Sequence, residues 1–292
     1  MKTFATILAV AALCVAGTAQ AATFNSVEDG DWTDDIWDTT GDTTPDGVSP
    51  NYADNNGDQG RIGDSVTVTT DTVDGKQVGV GNLYNDGGTL TMTGGSLVTK
   101  SFESGSSDWS ATNYVQTGGD LRLHFKYGGY PWKVTRFGTA LRFDGGTVSA
   151  NKREDSTGYG WIKSTDASDW LFASGSTLEV DISGTGSLEY DHMKNESTDA
   201  ASALELADGS SINMNAVGGY SPELGDTVTV MTWNEITLAA GVNVSDGWTA
   251  TVIDDGAGDL DTLQMEYVPE PATMALLGFG GIGLLVRRRR RA

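Results

Sequence analysis

One unit recurs along the chain and narrows its fold more than any other feature. The copies are LYNDGGTLTM at 83–92, YVQTGGDLRL at 114–123, LRFDGGTVSA at 141–150, LFASGSTLEV at 171–180 and LELADGSSINM at 204–214. Each is an apolar run, a pair of small residues and a second apolar run. The small pairs fall at 87–88, 118–119, 145–146, 175–176 and 209–210, with steps of 31, 27, 30 and 34 residues. A period of this size marks stacked repeats. One unit cannot bury its own apolar face; stacking on a neighbour does so. Gly94-Gly95-Ser96-Leu97-Val98 reads as an extra corner between the first two units.

The runs inside and between the units alternate at period two. Examples are Val66–Thr69, Leu90–Met92, Leu121–Leu123, Leu178–Val180 and Thr227–Val230. Such alternation, rich in Thr and Val and bounded by Gly, Asp, Asn or Ser, predicts half-buried strands separated by turns. The fold class is therefore all-β, and the best architecture is a β-solenoid, a right-handed parallel β-helix of irregular rungs. Its glycine pairs belong at corners that need positive φ or close backbone approach. The alternative is an antiparallel β-sandwich with glycine-rich turns. Residues 24–68 differ from the rest, with Trp32, Trp37 and an Asp/Asn-rich loop. They resemble the start of many secreted bacterial β-helix proteins, and the resemblance implies a cap on the first rung. The reading of Trp32 and Trp37 as capping residues outweighs one in which they stack on carbohydrate. Runs 249–253 and 262–268 flank an Asp/Gly-rich turn and predict a terminal hairpin.

The two ends are addresses. Residues 1–21 combine Lys2, an apolar stretch from Phe4 to Val15 and the small-x-small site Ala19-Gln20-Ala21, which together read as a secretory signal peptide. Leu13 before Cys14 argues against a lipidation site. Cleavage after Ala21 would leave a body, 22–267, without cysteine. The segment 268–292 has three parts in order: Pro269-Glu270-Pro271, fifteen uncharged residues from Ala272 to Val286, and Arg287, Arg288, Arg289, Arg290 and Arg291. An apolar run closed by arginines reads as a stop-transfer helix with its basic end cytoplasmic. Fifteen residues at ~1.5 Å rise reach about 22 Å, short of a ~30 Å hydrocarbon core, so the anchor is suited to a transient stay in the inner membrane. A core helix with a basic tail is a poor alternative, because Gly278, Gly280, Gly281 and Gly283 weaken a soluble helix.

These three parts resemble the PEP-CTERM sorting signal of Gram-negative bacteria. The resemblance covers about 25 residues. It implies recognition by an exosortase-type membrane enzyme, removal of the anchor near Pro269-Glu270-Pro271, and a destination at the cell surface or in an extracellular polymer matrix. It implies nothing about the chemistry of the body.

Charge excludes one large class of partners. The chain has 40 acidic and 18 basic residues, a formal net charge of −22, and the stretch 22–268 alone has 39 acidic and 12 basic ones. Nucleic-acid binding needs Lys and Arg on phosphates, so no nucleic acid is expected. Among candidate metal ligands, Asp54, Asn56 and Asp58 resemble part of a calcium loop. The glycine is displaced, though, and the twelfth position is Ser65 rather than Glu. An Asx-rich solvated turn is the better reading, and no cofactor is expected. His124 and His192 read as structural or surface histidines. No nucleophile elbow, phosphate loop or His-Glu-x-x-His is present, and the sequence predicts no catalytic residue.

One stretch departs from the acidic background. Seven of the twelve basic residues of the body lie between Leu121 and Arg153, interleaved with Phe125, Tyr127, Tyr130, Trp132, Phe137 and Phe143. Charge plus exposed rings would suit an anionic exopolysaccharide, with Arg122, Lys126, Tyr130, Trp132, Lys133, Arg136 and Arg142 as candidate contacts. The bland reading puts the rings in the core and the charges on a solvated face. The expected function is thus a non-enzymatic exported surface or matrix protein. The alternative is a polysaccharide lyase or hydrolase on the same fold.

Overall fold

A computed structural model describes residues 22–51, 59–70, 72–73, 76–85, 88–104, 113–123, 140–150, 161–164, 169–186, 189–195, 202–256 and 260–268. Among these residues there are strands and turns and no helix. The strands form one ten-stranded, one eight-stranded, one five-stranded and one two-stranded sheet. Along the two larger sheets, sequence-distant strands pair in parallel, which an antiparallel sandwich does not allow. The body is β-solenoid-like: the chain visits one sheet, turns a corner, visits the other and returns one strand further along.

The Thr/Val/Leu alternation of the sequence becomes columns of side chains in this stack. On the ten-stranded sheet Leu97, Leu121, Val148, Leu178 and Ile212 are in register, strand on strand. On the eight-stranded sheet the column is Val66, Leu90, Tyr114, Leu141, Trp170, Leu204 and Ile236. All are buried, and together with Met92, Phe143, Phe172 and Leu206 they belong to one continuous core. The inward positions read from the repeats, Leu90, Leu121, Val148, Leu178 and Ile212, are each at most 2% exposed. Their neighbours Thr91 and Glu179 are half-buried rather than fully solvent-facing.

Glycine at the corners has two causes at once. Gly119 and Gly146 both have φ of +75°, a region that side-chain-bearing residues avoid. The rungs also close up there: a Cβ on Gly146 would run into the Gly119 carbonyl oxygen of the rung before it. The first unit is a different matter. Strand Gly79–Asn85 belongs to the ten-stranded sheet and Thr89–Met92 to the eight-stranded one, so the turn between them is the opposite corner. The true counterpart of Gly118-Gly119 is Gly94-Gly95, and the register Ser96, Asp120, Thr147, Thr177, Ser211, Asn243 gives steps of 24, 27, 30, 34 and 32 residues. The two corners share a composition because both need a tight turn, which is why local sequence does not separate them.

The five-stranded sheet begins later in the chain. Strands Trp161–Ser164, His192–Asn195 and Thr227–Trp233 pair in parallel as a third face. The predicted hairpin is present, with Trp248–Ile253 antiparallel to Asp261–Tyr267. Asp261–Tyr267 also pairs antiparallel with Thr227–Trp233, so the last strand is inserted between two others and ends the parallel run. At the other end Trp37–Asp38 pairs antiparallel with Thr23–Ser26 at the sheet edge. Trp32 and Trp37 are fully buried with ring centroids 4.8 Å apart, and their indole N–H groups donate to the Pro50 and Trp32 carbonyls at 2.8 and 2.9 Å. Neither ring is free to stack on a sugar.

Candidate functional site

Of the residues proposed for polymer contact, Arg122 and Arg142 are described, while Lys126, Tyr130, Trp132, Lys133 and Arg136 lie outside the described residues. So do Asp54, Asn56 and Asp58, the sorting residues Pro269, Glu270 and Pro271, Arg287–Arg291, residues 1–21 and His124.

The pleat aims both arginines outward. Arg122 sits between buried Leu121 and Leu123 on Asp120–Leu123, and Arg142 between buried Leu141 and Phe143 on Ala140–Phe143. They are on different sheets, so these two side chains do not share one face. Arg122 donates to Asp120 Oδ2 at 3.2 Å. Arg142 Nε lies 2.7 Å from both oxygens of Asp144, and that hydrogen bond and charge bind its proton more tightly. The two arginine side chains are 36% and 59% exposed, so solvent screens their ion pairs and they add little to stability. Asp120 was missed as a partner because it precedes the basic stretch by one residue.

Phe143, grouped with the exposed rings by sequence, is 1% exposed. It stacks on Phe172 at 4.7 Å and meets Tyr114 edge-on at 5.8 Å, making it part of the core column. Its alternation with Leu141 was the available signal. Further along the outer face of the ten-stranded sheet, Val98, Arg122, Ser149 and Glu179 are in register. Burial, then Asp181 and Asp120, hold the Glu179 carboxyl above the ordinary range, partly offset by Arg122.

His192 is half-buried, with Nε2 3.1 Å from Thr232 Oγ1. Burial, then the Lys194 charge, push it down to about 4, so it is neutral at physiological pH. Among the described residues no group of three or more His, Cys, Asp or Glu is placed to hold a metal ion, and no helix is long and apolar enough to cross a membrane.

The last described residues are the ones that lead into the sorting segment. Strand Asp261–Tyr267 is held on both sides. Tyr267 N–H donates to the Asp226 carbonyl at 2.8 Å, Gly225 N–H to the Tyr267 carbonyl at 3.0 Å, and Val268 N–H to the Gly247 carbonyl at 2.6 Å. The backbone is therefore fixed up to the residue before Pro269. Leu224 and Val268, which flank the Gly225–Tyr267 bond, are 64% and 43% exposed. Sequence reading passed over them, since a single Leu in the polar run Ser221–Asp226 gives no periodic signal.

The segment that follows is of a known class. Residues 268–291 match the PEP-CTERM protein-sorting motif. The match covers the sorting segment alone and marks the chain as carrying a PEP-CTERM sorting signal, which implies export, a membrane-anchoring tail and processing by an exosortase-type enzyme. No curated protein matches the chain.

Proposed function

We propose that this is a non-enzymatic surface or extracellular-matrix protein whose body is a right-handed parallel β-helix, released into the matrix once its tail is processed. The observation that carries the reading is the sorting motif at 268–291 placed directly after a body of stacked parallel strands. A stacked-strand body is a durable extended surface, which suits a matrix component. On this reading the signal peptide 1–21 exports the chain, Arg287–Arg291 hold the tail in the inner membrane, and the basic stretch around Arg122 and Arg142 binds an anionic exopolysaccharide. Those two side chains face outward beside carboxylates that a polyanion can replace.

The test is fractionation of cells making the intact chain and a chain lacking residues 272–292. The intact chain should pass through the membrane fraction to the surface, and the truncated one should appear in periplasm or medium. Identical fractionation would contradict the reading. The polymer arm is tested with alginate: binding should weaken with salt and with Arg122→Ala plus Arg142→Ala. Alginate cleavage, followed by ultraviolet absorbance and lost in Arg136→Ala, would replace this reading with the lyase one.

A further inference from the structure

The exit of the tail leaves no slack. The backbone is hydrogen-bonded through Val268, and Pro269-Glu270-Pro271 starts at the next residue. Three residues span at most about 11 Å even fully extended. A single α-helix with its side chains is already ~10–12 Å across. An enzyme that grips Pro269-Glu270-Pro271 in a cleft must therefore touch the body around Val268.

The surface it would meet has the make-up of a contact patch. Val268 and Leu224 are two of the four exposed large hydrophobic residues among the described ones. Three exposed carboxylates sit at neighbouring chain positions: Glu223 precedes Leu224, Glu266 lies two residues before Val268, and Asp246 precedes Gly247, whose carbonyl accepts from Val268 N–H. An apolar centre with a polar rim is the pattern of protein–protein interfaces, and the acidic rim disfavours an anionic lipid surface as the occupant. Resting on the sorting reading above, we infer that this exit face is a recognition surface for the membrane enzyme that processes the tail. The enzyme reads the face together with the Pro-Glu-Pro, and its matching surface is apolar with basic margins.

The test is a pulse-chase of the full chain in cells that process it. Leu224→Asp should slow conversion to the tail-free form about fivefold or more, the scale of losing a central interface contact. Val48→Asp removes another exposed apolar side chain, 47% exposed, at the opposite end of the stack and should convert at the wild-type rate. A twelve-residue Gly-Ser insert between Val268 and Pro269 should also slow conversion, because face and motif lose their fixed spacing. Thermal melts of each secreted body confirm folding. Wild-type conversion of Leu224→Asp would overturn the inference, and so would an insert that speeds conversion, since the body would then be an obstacle. Glu270→Ala separates the two levels: if it too converts normally, the sorting reading itself fails.

Discussion

Gln116 is the polar member of an otherwise apolar column, in register with Met92 and Phe143. It is fully buried and fully used. Its Oε1 accepts from Tyr114 Oη at 2.9 Å, and its Nε2 donates to the Gly119 and Thr147 carbonyls at 2.8 and 3.0 Å. One side chain thus ties a glycine corner to the next rung. Gln116→Leu keeps the volume but removes these bonds, and should cost about 1–3 kcal/mol in urea unfolding. His192 makes a pH-dependent contribution. In the unfolded chain it takes a proton near 6.5, whereas in the fold it stays neutral until about 4. The unfolded state therefore binds more protons across that window, and stability falls as pH drops through it, by up to about 3 kcal/mol. His192→Gln should lose less stability than wild type between pH 7 and 4.5, measured by urea unfolding at each pH; an equal loss in both would show that the imidazole is not desolvated.

At the scale of strands and corners, much was legible in the sequence because the physics is local. Alternation at period two marks Leu121, Leu178 and Ile212 as inward, and the glycine pair marks the turn. What was not legible depends on which distant strand lies alongside. The opposite corners at Gly88 and Gly94-Gly95 look alike in composition and differ only in the sheets they join. The strand Thr227–Trp233 reads as a strand, but nothing in its residues reveals that Asp261–Tyr267 will pair with it antiparallel. The basic stretch was legible as charge and not as surface, since Phe143 faces in while Arg142 faces out. Leu178→Ala should cost about 2–4 kcal/mol, as for a fully buried leucine, and Gly146→Val should also destabilise the body because its corner has both positive φ and no room. Thr91→Ala, on the half-buried outer face, should stay within ~0.5 kcal/mol. Circular dichroism melts of the three variants check the contrast; equal sensitivity would remove the support for the inward columns.

For the whole molecule, the two ends of the stack are finished differently. Buried Trp32 and Trp37 cover the first rungs, and the antiparallel pair Trp248–Ile253 and Asp261–Tyr267 ends the third sheet. Because that last strand precedes Pro269, loss of the tail removes none of the described core. The body can be handed over folded and left complete. Its charge, with 39 acidic and 12 basic residues over 22–268, makes copies of the body repel one another. The central claim is that a finished stacked body is exported and parted from its tail at the edge of the fold. Intact mass spectrometry of the protein recovered from the cell surface tests it most directly. The account predicts one species beginning at Ala22 and ending between Val268 and Pro271, without the arginines. A surface form that keeps Arg287–Arg291, or one cut within Asp261–Tyr267, would contradict it.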